Sequence, residues 1–256
     1  MDHRERRRHG PVLPGVLVAL VLAGLVLLRD PGSNGARLRE LLGTEERRAE
    51  AVTVPAGPGA YRFAATQPGS DKPVSWNPCE DVEYVVNPAG APAHWRAMVE
   101  RSVATVAAAT GLRFSYEGET DDRNFTDRIG ALGRAAPVLI GWADEDEVEE
   151  LAGDVAGVGG AAYLETPGRW SYSTGMVVLD TAVFTELPAD GDSYDDPDTR
   201  ALDLQTAILD HELGHVVGLA HVESREELMY ADNLGRTSFG AGDLQGLARL
   251  GAAPCA

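Results

Sequence analysis

One stretch decides how this chain is read: His211-Glu212-Leu213-Gly214-His215-Val216-Val217-Gly218-Leu219-Ala220-His221. Histidines four residues apart lie one above the other on a single helical face, so both imidazoles reach the same ion. Glu212 follows the first and reaches a water on that ion without ligating it. Gly218 supplies the backbone freedom that ends a helix and turns the chain, which brings His221 back as a third ligand. Three protein ligands leave a fourth position for water, the feature that separates a catalytic zinc site from a closed structural one. Burying these four groups together without a metal would be costly. Of the six histidines, His3 and His9 fall near the N-terminus and three form the motif. His94 is left over and reads as a surface or helix-cap residue.

Working outward, the motif ends a long helix that Asp198 or Thr199 caps and that runs to about residue 217. Residues 241–250 read as a final helix. Residues 92–110 read as a first one, with Trp95, Met98, Val99, Val103 and Val106 on one face and Gly111 as its stop. Strands are expected at 82–86, 112–116, 138–142, 161–164 and 176–179. This is an α+β unit with a mixed sheet of about five strands and three helices, long enough for a proper core.

The N-terminus speaks of location. After Arg6, Arg7 and Arg8, residues 11–28 carry no charge and are rich in Val and Leu. As a helix they span about 27 Å, enough for the bilayer hydrocarbon. The Arg cluster stays inside by the positive-inside rule, which places residues 29–256 outside the membrane. The segment is an uncleaved anchor or a cleaved signal; Ser33 and Gly35 before Ala36 offer only a weak cleavage site. The organisation is then a basic cytoplasmic tail at 1–10, the membrane segment at 11–28, a flexible linker at 29–60 and the main domain at 61–256.

The chain has 22 Lys+Arg against 40 Asp+Glu, a net charge of -18. Residues 1–29 hold five Arg and two acids, so the remainder carries -21. Nucleic acid is excluded as a partner, because phosphate contacts need clustered Lys and Arg. Cys79 and Cys255 sit near the two ends of the domain, in a compartment that permits disulfides. They read as a bridge; the alternative makes Cys79 a free thiolate that blocks a metal.

The motif resembles that of the metzincin metallopeptidases and matches it at every fixed position. Leu228-Met229-Tyr230 lies where that family places the turn whose methionine underlies the zinc. Among metzincins the chain is most similar to the matrixin branch, in a small bacterial extracytoplasmic form. Asp243 in the last helix matches an aspartate that supports the floor of the site. Departures are Val222 in place of a serine after the third histidine and Ala231 in place of a proline. No histidines remain for a second zinc. Tyr230 lies too close to Met229 to match the phenolic zinc ligand of the astacin branch.

The resemblance implies a zincin-like metzincin fold and one catalytic zinc on His211, His215 and His221. Glu212 would be general base, with Gly218, Met229 and Asp243 supporting the site. It implies a peptide or protein substrate extended along an edge strand, for which Ala161, Ala162 and Tyr163 are the candidates; an inner strand is the competing reading. Residues 231–239 would form the outer wall of the specificity pocket. Asp190, Asp192, Asp195, Asp196 and Asp198 are a calcium site or a solvated loop before the helix. Asn124 heads a glycosylation sequon. The expectation is a monomeric zinc endopeptidase acting outside the cytoplasmic membrane. The alternative is a zinc-retaining, catalytically silent binding module.

Overall fold

A continuous apolar run such as Val138–Ala143, buried at every position, requires a sheet covered on both faces. The computed structural model describes residues 46–130, 133–166, 168–187, 197–232 and 235–255. In chain order the elements are β1 (Arg62–Phe63), β2 (Ser75–Trp76), β3 (Asp81–Val86), α1 (Trp95–Thr110), β4 (Arg113–Glu119), β5 (Val138–Ala143), β6 (Gly157–Thr166), β7 (Arg169–Asp180), α2 (Thr181–Glu186), α3 (Pro197–Val217), β8 (Leu219–Ala220) and α4 (Ala241–Gly251). The main sheet runs β4-β3-β5-β7, with β2 beside the start of β7 and β6 along the other side of β7. Every pairing is parallel except β6 with β7, a long antiparallel hairpin. A short β1–β8 pair lies apart from it.

Alternate residues serve the two faces. Val138, Ile140, Val177 and Leu179 join Met98 and Val106 of α1 and Leu209 and Leu213 of α3 in the main core. Leu139 and Val178 point the other way, against Phe125, Val148 and Leu151. The α+β expectation therefore holds, with a parallel-dominated mixed sheet.

Five details differ from the sequence reading. The sheet has six strands, because β2 is only two residues long and shows no alternation to detect. Strands β6 and β7 run to 10 and 12 residues where four each are expected from sequence. Gly175 looks like a break in β7, yet it lies inside the strand. A Cβ there would come within 2.6 Å of the Gly160 carbonyl oxygen across the hairpin. Among the described residues the α-helices number four, the extra one being α2, capped by the Asp180 carboxylate accepting from the Val183 N–H at 2.7 Å. Helix α1 starts at Trp95, after a turn in which the Trp95 N–H donates to the Pro92 carbonyl. Helix α3 starts at Pro197, since proline lacks only a donor that the first turn leaves unused.

The ends of the unit are fastened to each other. Cys79 is bonded to Cys255, with Cα atoms 5.5 Å apart and a separation of 176 positions in sequence. Closing a loop of that size stabilises the fold by about 5 kcal/mol in the chain-entropy account. Arg47 donates to the carbonyls of Gly251 and Ala253, and the Arg48 N–H to that of Pro78. The Gln245 amide donates to the Gly57 carbonyl. The chain is thus fastened to the domain from Arg47 onward, ahead of the start expected at Tyr61 and of the first strand at Arg62. Segments 1–10 and 11–28, and the first part of the expected linker, lie outside the described residues. Among the described residues no helix is long and apolar enough to cross a membrane.

Gly218 has φ 118°, and a Cβ there would lie 2.9 Å from both Leu250 Cδ2 and Tyr172 Cε2. Gly218→Ala is expected to cost about 2–3 kcal/mol, since backbone strain and overpacking add. In a thermal unfolding scan that lowers the midpoint by roughly 5–10 °C. An unchanged midpoint would contradict this account of the turn.

Candidate metal centre

Helix α3 presents His211 and His215 from successive turns, and three backbone constraints aim His221 at them. The helix closes with the Gly218 N–H on the Gly214 carbonyl at 3.2 Å. Strand β8 is held by β1 in the register Arg62↔Ala220 and Phe63↔Leu219. The Val222 N–H then donates to the Met229 carbonyl at 3.0 Å. His221 lies between the last two.

The three Nε2 atoms converge. They lie 3.0 Å apart for His211 and His221, 3.1 Å for His215 and His221, and 3.2 Å for His211 and His215. His211 Nδ1 donates to the Leu228 carbonyl at 2.7 Å and His215 Nδ1 to the Leu219 carbonyl at 2.9 Å. A ring whose proton is committed at Nδ1 has a bare lone pair at Nε2. The His211 and His215 lone pairs therefore meet with no proton between them, and a cation resolves that conflict. Tetrahedral zinc with Zn–N of about 2.0–2.1 Å requires nitrogens about 3.3 Å apart, so the donor set fits zinc. His211 is buried, His215 half-buried and His221 exposed, so the site opens to solvent on the His221 side.

Burial holds the histidine protonation equilibria low. His211 falls to about 4, chiefly by burial and then by the neighbouring His215. His215 also falls to about 4, again mainly by burial. His221 is lowered by burial and by Arg62, with Asp232 opposing. At neutral pH the rings are uncharged, the form in which imidazole ligates a metal.

Glu212 is only 7% exposed and lies beneath β6. Burial pushes its pKa up to about 8, against a hydrogen bond from the Gly159 N–H. A Cβ at Gly157 would come within 3.0 Å of Glu212 Cγ, and one at Gly159 within 2.3 Å of the Glu212 carbonyl oxygen. Only glycine lets β6 lie this close. Sequence reasoning passes over both glycines, although the Gly-x-Gly spacing of 157 and 159 puts them on one strand face.

Ala161, Ala162 and Tyr163 lie on β6 opposite Gly175, Thr174 and Tyr172, with a register shift after Ala162. Strand β6 pairs with β7 alone among the described residues, so these three positions stand at a sheet edge. Below the histidines, Met229 is buried, and a Cβ at Gly214 would be 2.7 Å from its sulfur. Asp243 is fully buried; its Oδ2 accepts from the Leu228 N–H at 2.5 Å and the Gly240 N–H at 3.0 Å. The Leu228 carbonyl in turn accepts the His211 Nδ1–H, so one residue links Asp243 to the ligand ring. Burial raises Asp243 to about 6 in spite of those hydrogen bonds.

Sequence reasoning also misses Glu227. It is buried, with Oε1 on the Ala60 N–H at 3.1 Å and Oε2 on those of Gly242 and Asp243 at 2.9 and 3.1 Å. It thereby satisfies free N–H groups at the start of α4. Beside Glu226 it looks like a solvated acid, and no sequence signal separates them. Tyr230 is half-buried, with the Arg225 guanidinium 5.6 Å from its ring. His94 occupies the N-cap position of α1 as expected, but it is half-buried and its ring meets Gln205 at 2.5 Å instead of making a capping hydrogen bond. With both sulfurs in the disulfide, Cys79 is not a blocking thiolate. Asn124 uses its side chain within an exposed turn, on the Asp127 N–H and carbonyl. Asp190, Asp192, Asp195 and Asp196, and the side chain of Asp198, lie outside the described residues, and the calcium reading with them.

No protein-family model and no curated protein sequence matches the chain. Among solved structures it is similar to an archaemetzincin from Methanopyrus kandleri, at 15% identity and a TM-score of 0.32, over 64% of this chain and 84% of that one. The functional reading rests on the geometry of the site itself.

The raised Glu212 sets a pH dependence with a definite sign. Below pH 4.5 the carboxyl is protonated in folded and unfolded chains alike. Above it the unfolded chain releases a proton that the folded one keeps up to about 8, so stability falls as pH rises. The lowered histidines act in the opposite sense, because near 6.5 the unfolded chain still holds their protons and the folded one does not. Between about pH 6.5 and 8 the metal-free protein should therefore lose about 2 kcal/mol through Glu212 itself in urea unfolding, at about 1.4 kcal/mol per pKa unit. Glu212→Gln should abolish that loss. Equal slopes in both proteins would contradict the burial of an unpaired carboxyl.

Proposed function

We propose that this protein is a zinc-dependent endopeptidase acting outside the cytoplasmic membrane. The observation that carries the reading is the convergence of three imidazole Nε2 atoms on one point, beside a buried glutamate under an edge strand. His211, His215 and His221 would hold the ion. Zinc in such a site acidifies a bound water and polarises a carbonyl.

The rest of the chemistry belongs to the chain. The Glu212 carboxylate takes a proton from the attacking water and delivers it to the leaving amine. Its burial beneath Gly157 and Gly159 keeps bulk water away and raises its basicity, which suits a group that must accept and then return a proton. The edge of β6 at Ala161, Ala162 and Tyr163 offers free backbone groups to an extended peptide, and small side chains let it approach. Asp243 and Leu228 hold the His211 ring in the tautomer that frees Nε2. Resemblance to the matrixin branch rests on Leu228-Met229-Tyr230 and Asp243. The extracytoplasmic placement is supported by the N-terminal apolar segment and by the disulfide.

The test uses residues 47–256, wild type beside Glu212→Gln, on a mixed protein substrate with bound zinc quantified. The expected outcome is one zinc in each, with cleavage by the variant lower by roughly 10²–10⁴-fold, the usual worth of a general base. Chelation should abolish the wild-type activity. Zinc in both with cleavage by neither would favour a zinc-retaining binding module. Folded protein without zinc would overturn the reading.

A further inference from the structure

Apart from its ladder to β7 and the seat of Gly157 and Gly159 on Glu212, the strand that faces Glu212 has few side chains to hold it. Residues 159–162 of β6 are Gly-Gly-Ala-Ala, with almost no side chain to pack and the highest backbone freedom in the sheet. On its outer side β6 has no partner among the described residues. Its position therefore depends on what grips the hairpin tip.

The tip is gripped from three directions. Arg169, the first residue of β7 and the partner of Thr166, donates from Nη1 to the Cys255 carbonyl and from Nη2 to the Pro254 carbonyl, each at 2.9 Å. Trp170 has both backbone groups taken by one side chain. Its N–H donates to Gln67 Oε1 at 2.9 Å, and its carbonyl accepts from Gln67 Nε2 at 2.8 Å. The Trp170 indole stacks on Tyr163 of β6, with centroids 5.0 Å apart and planes 13° from parallel. Residues 254–255 belong to no helix or strand. They are held by the Cys79–Cys255 bond, while Arg47 secures the carbonyls of Gly251 and Ala253 just before them.

We propose that Arg169 is a positioning residue for the substrate-facing strand, keying the β6–β7 tip to the C-terminal tail that the Cys79–Cys255 disulfide holds. Loss of either the guanidinium or the disulfide removes one of the three grips on the tip and loosens β6 over Glu212, leaving the histidines untouched. The substrate part of this inference rests on the peptidase reading; the strand part does not.

The test uses the full chain as wild type, Arg169→Gln and Arg169→Lys, each with and without a water-soluble trialkylphosphine. The phosphine gives two electrons to the Cys79–Cys255 bond and takes the oxygen of a water, whose two protons go to the cysteine sulfurs, leaving two protein thiols and a phosphine oxide. Three quantities are read: amide exchange of residues 157–166, bound zinc, and kcat and KM on a peptide. Arg169→Gln should raise exchange in 157–166 by roughly tenfold, as loss of a charge-assisted bond implies. Exchange in α3 and zinc content should not move. KM should rise by a similar factor, with kcat within about threefold. Arg169→Lys, which restores one donor, should fall between, and reduction should reproduce the Arg169→Gln pattern in the wild type while adding little to the variant. Wild-type protection of 157–166 in Arg169→Gln, or after reduction, would overturn the proposal. So would loss of zinc in step with the loosening. If Arg169→Gln does not fold, Arg169→Lys and reduction of the wild type decide by the same criteria. A chain that cleaves no peptide would still show the exchange pattern, so failure of the peptidase reading and failure of this one are told apart.

Discussion

Everything around the site depends on two backbone carbonyls. Leu228 and Leu219 accept the Nδ1 protons of His211 and His215, and so decide that the Nε2 lone pairs face one another. Lone pairs about 3 Å apart repel, and the fold must supply what holds the rings there. It does so with the rigid spacing of α3, the left-handed turn at Gly218 and the short β1–β8 pair ahead of His221. An arrangement that is unfavourable without a cation and aligned for a tetrahedral one is preorganised for metal.

Buried carboxylates are the second theme. Glu227 and Asp243 tie α4 to the loop beneath the histidines, Glu227 through both carboxylate oxygens and Asp243 through Oδ2, all on backbone N–H groups. Glu212 is different. Only the Gly159 N–H addresses it, and burial raises its pKa well above the carboxylate range. A carboxyl that is solvated poorly and bonded sparingly is ready to exchange a proton, whereas the two below it are committed to structure.

How much of this can be read from residues depends on how local each feature is. The helix with its two histidines, the turn at Gly218 and the return of His221 are set within eleven residues, so spacing alone reveals them. The edge position of residues 161–163 comes only from the resemblance to the metzincins, since the residues themselves leave an inner strand open. Glu227 is not legible, since its burial depends on a contact with Ala60, 167 residues away. Gly175 looks like a strand end because the reason for it, the Gly160 carbonyl across the hairpin, is a tertiary one. The packing of residues 47–60 escapes for the same cause. A Gly- and Pro-rich stretch looks like a linker until the carbonyls that Arg47 and Arg48 reach are known.

The most direct measurement of the central claim is X-ray absorption at the zinc edge of the purified protein. The account predicts about three imidazole nitrogens at 2.0–2.1 Å and one further light ligand, with no sulfur. A shell containing sulfur, or one built only of carboxylate and water oxygens, would contradict a metal centre made of His211, His215 and His221.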